Sequence, residues 1–245
     1  MLHFFNKKPY LKDLIPHGHL DFHSHLLPGI DDGAKTIDDT RHLIAALREM
    51  GVERFIVTPH IMKNVWENSE QKILDNLAQT QQSLLRNGID IPIRAAAEYL
   101  MDGSFVQHFR EHPLLTVKDN YVLVEMSYLN PPIQLYNILF DLQVAGYKPI
   151  LAHPERYLFY HANFSEYEKL KNAGCVFQIN LLSTVGYYGP EVADVAKKLL
   201  SRGMIDFAGS DVHHKNHVAG FSKRVTLSDP KPLAEALEHN KLFWW

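Results

Sequence analysis

Seven short apolar runs, rich in β-branched and aromatic residues and separated mostly by helical patterns, constrain this chain more than any other feature. They are His19–Phe22, Arg54–Thr58, Ile93–Ala97, Tyr121–Glu125, Pro149–Ala152, Cys175–Asn180 and Ile205–Ala208. Such runs read as strands buried on both faces. Between them, Thr36-Ile37-Asp38-Asp39 opens a helix with a capping arrangement that Gly51 closes, with Ile37, Ile44, Leu47 and Met50 as its apolar stripe. A second helix is predicted from Ser69 to Arg86, with Ile73, Leu74, Leu77, Leu84 and Leu85 inward and Gly88 as its stop. Pro131-Pro132 starts a third, running through Leu135, Leu139 and Leu142 to Gly146. Ser165-x-x-Glu168 caps a fourth that ends at Gly174, Pro190 to Leu200 is a fifth, and Pro232 to Asn240 is the last. Strand–helix alternation with short connections implies a parallel sheet. Seven such units predict an α/β chain closed into a distorted, TIM-like (β/α)₇ barrel. In barrels of this kind the chemistry sits at the C-terminal ends of the strands.

Composition narrows the class. The chain has 245 residues, 46% of them hydrophobic, enough for one large core. A single domain over 1–245 is expected: an extension at 1–18 with no derivable role, a barrel core at 19–221, and a C-terminal helix and tail at 222–245. The net charge of −3 offers no basic field for nucleic acid. Cys175 is the only cysteine, so no intrachain disulfide can form and a reducing, cytoplasmic setting is expected. No run approaches the roughly 18 apolar residues of a transmembrane segment. Lys7-Lys8-Pro9 interrupts anything resembling a signal peptide.

The residues just past each strand are more telling. The first strand leads into His23 and His25, residues i and i+2, whose side chains share one face of an extended segment. Asp31-Asp32-Gly33 lies in the next loop. The second strand leads to Thr58-Pro59-His60, the third to Glu98 and the fourth to Glu125. The fifth leads to His153-Pro154-Glu155-Arg156 and the seventh to Asp211-Val212-His213. Only the sixth, near Gln178-Ile179-Asn180, ends without an ionisable group. Each residue alone has an ordinary structural reading as a cap or a rim charge. Collected at one rim, they would repel or desolvate one another unless cations neutralised them. Mixed imidazole and carboxylate donors suit zinc, manganese or iron better than calcium or magnesium. Nine candidate ligands suggest two or three ions bridged by carboxylate.

The ordered set H-x-H, T-P-H, lone Glu, H-P-E-R and D-x-H resembles the PHP (polymerase and histidinol phosphatase) superfamily over roughly Leu20 to Phe221. It is most similar to the PHP-type bacterial tyrosine phosphatases of the CpsB/YwqE-like group. Asp21-Phe22-His23-Ser24-His25, Asp31-Asp32-Gly33-Ala34, Ala152-His153-Pro154-Glu155-Arg156 and Gly209-Ser210-Asp211-Val212-His213 carry that likeness. The resemblance implies a trinuclear site. His23, His25, Glu98 and Asp211 would hold one metal, and Glu98, Glu125 and His153 the second, with Glu98 bridging. Asp32, His60 and His213 would hold the third, with Asp31 the alternative to Asp32. It also implies two or three divalent transition ions, manganese first, with iron, zinc or cobalt as alternatives.

The activity expected is hydrolysis of phosphotyrosine by a metal-bound hydroxide, on a bacterial tyrosine autokinase that controls capsule or exopolysaccharide synthesis. A small-molecule phosphatase such as a histidinol-phosphate phosphatase is the alternative. Arg156, with Asp211 and His213, completes the catalytic set. Three residues after His153, its planar guanidinium suits bidentate phosphate binding, although a salt bridge with Glu155 or a helix acid would explain it equally simply. Some relatives place a second arginine after the D-x-H. Here Lys215, Asn216 and His217 occupy that stretch, and the next arginine is Arg224. His214 or His217 could protonate the leaving group. The cysteine route needs C-x₅-R, and Leu181 stands six residues after Cys175. Tyr187-Tyr188 could form one wall of the site, and Asn64-Val65-Trp66-Glu67-Asn68 a rim loop. The aromatic ending Leu242-Phe243-Trp244-Trp245 is expected to dock on the barrel, with a partner or membrane contact as the alternative. A metal-dependent amidohydrolase would need a strand-end lysine, and none is predicted. The oligomeric state is not legible.

Overall fold

The structure, a computed structural model, describes residues 7–245; residues 1–6 of the N-terminal extension lie outside the described residues. Among the described residues, nine short strands, all paired in parallel, replace the seven predicted runs. They are β1 (His19–Asp21), β2 (Val52–Val57), β3 (His60–Ile61), β4 (Ile93–Ala95), β5 (Glu98–Leu100), β6 (Tyr121–Glu125), β7 (Lys148–Ala152), β8 (Val176–Asn180) and β9 (Phe207–Gly209). The difference arises because the second and third runs each break in two. Pro59 has no N–H for the ladder, and the chain shifts there from a three-stranded sheet, β1-β2-β4, to a six-stranded one, β3-β5-β6-β7-β8-β9. The split distorts the barrel without opening it. Ser24 bridges Val212 in parallel, and His25 N–H donates to Val212 O at 3.0 Å, so the chain after β9 closes against the chain after β1.

Among the described residues, eight α-helices cover the outside: α1 (Ile37–Glu49), α2 (Glu70–Arg86), α3 (Gly103–Glu111), α4 (Leu135–Val144), α5 (Ser165–Asn172), α6 (Pro190–Ser201), α7 (Lys215–Gly220) and α8 (Lys231–His239). Thr36 and Asp39 form the reciprocal capping box expected of α1. The Ser165 cap does not form: Phe164 occupies the N-cap position, and the Ser165 hydroxyl bonds to Asn163 instead. On α2, Leu74 and Leu85 are exposed rather than inward, because Ile73 and Leu84 already fill the contact with the sheet. The sequence reading also missed α3, whose signals were present. Asp102 caps it by accepting from Ser104 N–H and Phe105 N–H, and Phe105 and Phe109 bury one face.

The barrel interior and base hold a second apolar cluster of Leu20, Phe22, Ile56, Leu123, Ile150, Phe207 and Phe243. Phe243, from the C-terminal tail, is fully buried and packs edge-on against Phe22 with ring centroids 4.8 Å apart. Trp244 and Trp245 lie over the guanidinium groups of Arg54 and Arg94. The tail therefore docks on the barrel. The extension is tied down as well, since Leu11 N–H donates to Lys223 O and Tyr10 bridges Arg224. That contact takes Arg224 away from the strand-end rim.

Candidate metal centre

All nine sequence-predicted ligands meet at the C-terminal rim of the barrel. His60 and Glu98 arrive differently from expectation. They do not follow completed strands but open β3 and β5, where they stand opposite each other in register. His23 and His25 project from the extended segment after β1, and Glu125 ends β6. His153 and Asp211 both occupy left-handed backbone, at φ of 35° and 49°. For non-glycine residues this is strained, and such strain clusters at functional sites. Two glycines make the close approach possible. A Cβ on Gly33 would lie 2.1 Å from His25 O, and one on Gly209 would lie 2.7 Å from His23 Cβ.

Three groups of donor atoms result: His23, His25, Glu98 and Asp211; His25, Asp32, His60 and His213; and His60, Glu98 and Glu125. Their spacing bears on what they hold. His23 Nε2 lies 3.3 Å from both Glu98 Oε2 and Asp211 Oδ1, and His25 Nε2 lies 3.3 and 3.4 Å from the same atoms. His60 Nδ1 is 3.3 Å from Glu98 Oε2 and 3.0 Å from Glu125 Oε1. Yet His23 Nε2, His25 Nε2, His60 Nδ1, Glu98 Oε2 and Glu125 Oε1 are buried without a hydrogen-bond partner. Donors about 2.1 Å from a shared ion sit about 3.0–3.4 Å from one another, which is the spacing of these atoms although none of them makes a hydrogen bond. The residues therefore fit divalent ions.

The sequence assignment of three ligand sets is redistributed in detail. The first set is brought together as expected. His60 lies between the other two, with Nδ1 toward Glu98 and Glu125 and Nε2 3.4 Å from Asp32. His153 reaches Glu98 Oε1 through Nε2 at 3.1 Å but does not join the three groups of converging donors. Asp32 Oδ1 also lies 3.5 Å from His213 Nε2. Asp31 acts as a brace, and its carboxylate accepts from His25 Nδ1 at 2.8 Å and from Gly33 N–H at 2.8 Å.

Strand β8, the sixth of the predicted runs, supplies what the sequence reading missed. Gln178 Oε1 accepts from His23 Nδ1 at 2.7 Å, leaving Nε2 free to face the centre, and Asn180 Nδ2 donates to Asp211 Oδ2 at 2.7 Å. The signal was the period-2 placement of two amides in an otherwise apolar strand, on the face that carries the site. Ser210 and Asp21 brace the opposite edge, with Ser210 N–H donating to Asp21 Oδ1 at 3.0 Å.

The electrostatics favour positive charge at this point. Burial alone would push the His23 pKa down, but Glu98 and Asp211 overcome it and raise it to about 10. His25 and His60 are likewise raised against burial, by Asp31, Asp211 and Glu98 at His25 and chiefly by Glu125 at His60. Burial would raise the carboxyl pKa values of Glu98 and Asp211, yet the surrounding imidazoles hold both well below the usual carboxylate range.

Over the centre lies a cleft of about 400 Å³, bordered by Met62, Val65, Trp66, Tyr128, Arg156, Tyr188 and His214. Arg156 pairs neither with Glu155 nor with a helix acid. Its Nη1 donates to Asp211 Oδ2 at 2.8 Å, and its guanidinium is sandwiched between Tyr128 and Tyr188, 4.8 and 4.1 Å from the ring centroids. Glu155 instead turns inward to accept from Asn180 N–H and the Ser183 hydroxyl. The segment at Asn64–Asn68 is a tied turn: Met62 bridges Trp66, and Asn68 Nδ2 donates to Ile30 O and His60 O.

The sequence matches the family of capsular polysaccharide synthesis proteins, CpsB/CapC, over residues 19–222, which includes every residue of this centre. The chain belongs to the CpsB/CapC family. Among relatives, the tyrosine-protein phosphatase YwqE of Bacillus subtilis is 29% identical over 196 residues, covering 80% of this chain and 77% of that protein. The tyrosine-protein phosphatase CpsB of Streptococcus pneumoniae is 27% identical over 201 residues, covering 80% and 83%. A solved chain from the crystal structures of YwqE and CpsB, called there unique metal-dependent tyrosine phosphatases, superposes with a TM-score of 0.76 at 28% identity, covering 82% of this chain and 84% of its own. An Agrobacterium tumefaciens protein with a TM-score of 0.51 and 14% identity shares the barrel fold. CpsB/CapC membership and the distorted (β/α)₇ barrel agree with what the ordered motifs implied.

Proposed function

We infer that this CpsB/CapC protein is a metal-dependent protein-tyrosine phosphatase. The observation that carries the reading is the set of five buried, unpartnered donor atoms converging beneath an open cleft with an arginine on its wall. His23, His25, Glu98 and Asp211 would hold one ion, Glu98 and Glu125 with His60 a second, beside which His153 stands against Glu98, and Asp32, His60 and His213 a third. Bound there, divalent ions supply charge neutralisation for a phosphoryl dianion and acidify a water toward a pKa of about 7.

The chain's own groups do the remaining work. Arg156, anchored through one nitrogen to Asp211 and held flat between two tyrosines, presents its other N–H groups to phosphoryl oxygens. Trp66, Val65 and Met62 offer an apolar wall for the tyrosyl ring. His214, exposed at the mouth, is better placed than the buried His217 to give a proton to the departing phenolic oxygen. The demand on that proton is modest, because a tyrosyl oxygen leaves with a pKa near 10. No arginine follows the D-x-H within this cleft, since Arg224 stacks on Tyr10. Arg156 therefore stands as the guanidinium of the site.

The substrate proposed is a phosphotyrosine-bearing tyrosine autokinase of capsule or exopolysaccharide synthesis, and manganese is the ion proposed first. Cytoplasmic action is proposed from the lone, buried Cys175; among the described residues, no helix is long and apolar enough to cross a membrane. The decisive experiment compares turnover of a phosphotyrosyl peptide and of histidinol phosphate in manganese, iron, zinc and cobalt, with His23→Ala as control. Peptide hydrolysis that needs metal and disappears in His23→Ala is expected. Turnover of histidinol phosphate alone would overturn the choice of substrate.

A further inference from the structure

The cleft over the metal centre does not end at His213 and His214. Those two residues and Asp32 form a wall that it shares with a second hollow of about 450 Å³. This hollow lies between the N-terminal part of α1, flanked by Lys35 and carrying His42 and Leu43, and Lys215 at the start of α7. Lys35, His42 and Lys215 are all exposed. Among the described residues, no carboxylate forms an ion pair with Lys35 or Lys215; Lys35 Nζ donates instead to the backbone oxygen of Asp31 at 3.1 Å. The two acids that border the hollow have other partners. Asp32 turns toward the metal centre, with Oδ1 3.4 Å from His60 Nε2 and 3.5 Å from His213 Nε2. Asp39 closes the capping box of α1, where its Oδ2 accepts from Thr36 N–H at 3.0 Å and from the Thr36 hydroxyl at 2.8 Å.

We propose, on the basis of the protein-tyrosine phosphatase reading, that this hollow is a subsite of the cleft that takes an acidic side chain, Asp or Glu, lying close to the phosphotyrosine in the substrate chain. An extended peptide advances about 3.3–3.6 Å per residue, so crossing one shared wall of side chains takes it roughly two or three residues. With Asp32 engaged at the metal centre and Asp39 in the helix cap, the two lysines are the charges left for a ligand. A carboxylate suits them, because each ammonium offers three N–H donors and a full positive charge. His42 on the same wall is a further hydrogen-bond donor. An apolar side chain is disfavoured there, since it would desolvate ammonium groups without pairing them. Contacts of this kind at an exposed rim are weak singly and are screened by salt, so they select among peptides more than they supply affinity. Elsewhere the cleft is bordered by the apolar Met62, Val65 and Trp66, so the acid is recognised on the His214 side.

The test uses the manganese-loaded full chain and phosphotyrosyl peptides that differ only in Glu or Gln at the positions just before or just after the phosphotyrosine. What is read is the ratio of kcat/KM, Glu peptide over Gln peptide, within each protein, so that a general loss of activity cancels. In the wild type this ratio should be about three- to tenfold on one flank, carried by KM, and should shrink as salt is raised. Lys35→Gln combined with Lys215→Gln should bring it to about one, and Lys215→Glu should lower it further than Lys215→Gln does. Lys63→Gln, the same loss of charge beside the apolar part of the cleft, should leave the ratio as it is. A wild-type ratio near one on both flanks overturns the proposal. So does a preference that survives the double substitution, or one lost equally in Lys63→Gln. The same peptides with a nonhydrolysable phosphonate in place of the phosphate, titrated by fluorescence anisotropy, give the ratio as Kd. A chain that hydrolyses no phosphotyrosyl peptide would refute the phosphatase reading, while the Kd ratio still decides the subsite.

Discussion

At the scale of single residues, the centre depends on groups that never face the ions. Gln178 fixes the tautomer of His23 by accepting a hydrogen bond from its Nδ1–H, and Asp31 does the same for His25. Gln178→Leu keeps the volume and removes the acceptor. Metal affinity or turnover should fall about 10- to 100-fold, the usual cost of losing such a support; a metal titration beside a phosphotyrosyl-peptide assay reads it, and unchanged affinity would refute the role. The protonation of the rings gives a second expectation. His23, with a pKa near 10 in the metal-free protein, and His25 and His60, also raised, must lose protons to bind an ion. Protons therefore compete with metal. Affinity should rise between pH 6 and 8, with proton release visible as buffer-dependent heats in calorimetry. Buffer-independent heats would contradict it.

At the scale of elements, the sequence was most legible where local chemistry decides the outcome. The Thr36–Asp39 box starts α1 where expected, and Thr36→Ala should cost about 1 kcal/mol, or about 2–4 °C in Tm for a chain of this size. A thermal melt checks it. Legibility ended where two elements had to agree on geometry. The runs through Thr58 and Ala97 looked continuous, but their ladders change sheets before His60 and Glu98. No local signal besides Pro59 says so, because the break is set by the stagger of neighbouring strands. Gln178 and Asn180 were visible as amides in a strand and unreadable as supports, because their partners lie 155 and 31 residues away in sequence.

At the scale of the whole molecule, the C-terminal tail and a buried histidine govern stability. Phe243→Ala should cost about 3–5 kcal/mol, as truncation of a fully buried aromatic does. Denaturant unfolding would show it, and a loss below about 1 kcal/mol would mean that the base of the barrel refills. His19 is buried at the same end with its Nε2 unpartnered. Burial lowers its pKa from 6.5 to about 4 despite Glu238 nearby. As pH falls below 6.5, the unfolded chain takes up a proton that the folded chain refuses. Stability is lost progressively down to pH 4, by about 3 kcal/mol, and no further below it. His19→Leu should flatten the stability curve between pH 6.5 and 4; an unchanged slope would show that another group sets it.

The sequence by itself determined the alternation of strands and helices, and hence the barrel. It also determined which donor types stand at the strand ends, because periodicity, caps and strand-end positions are local properties of the chain. Only the tertiary structure decided that His60 lies between two donor groups, that Asp32 faces the centre while Asp31 braces His25, and that Arg156 is held by Asp211 and two tyrosines. These are matters of which side chains meet across the rim. Closure of the barrel fixes them by joining segments far apart in sequence, so no local pattern could record them.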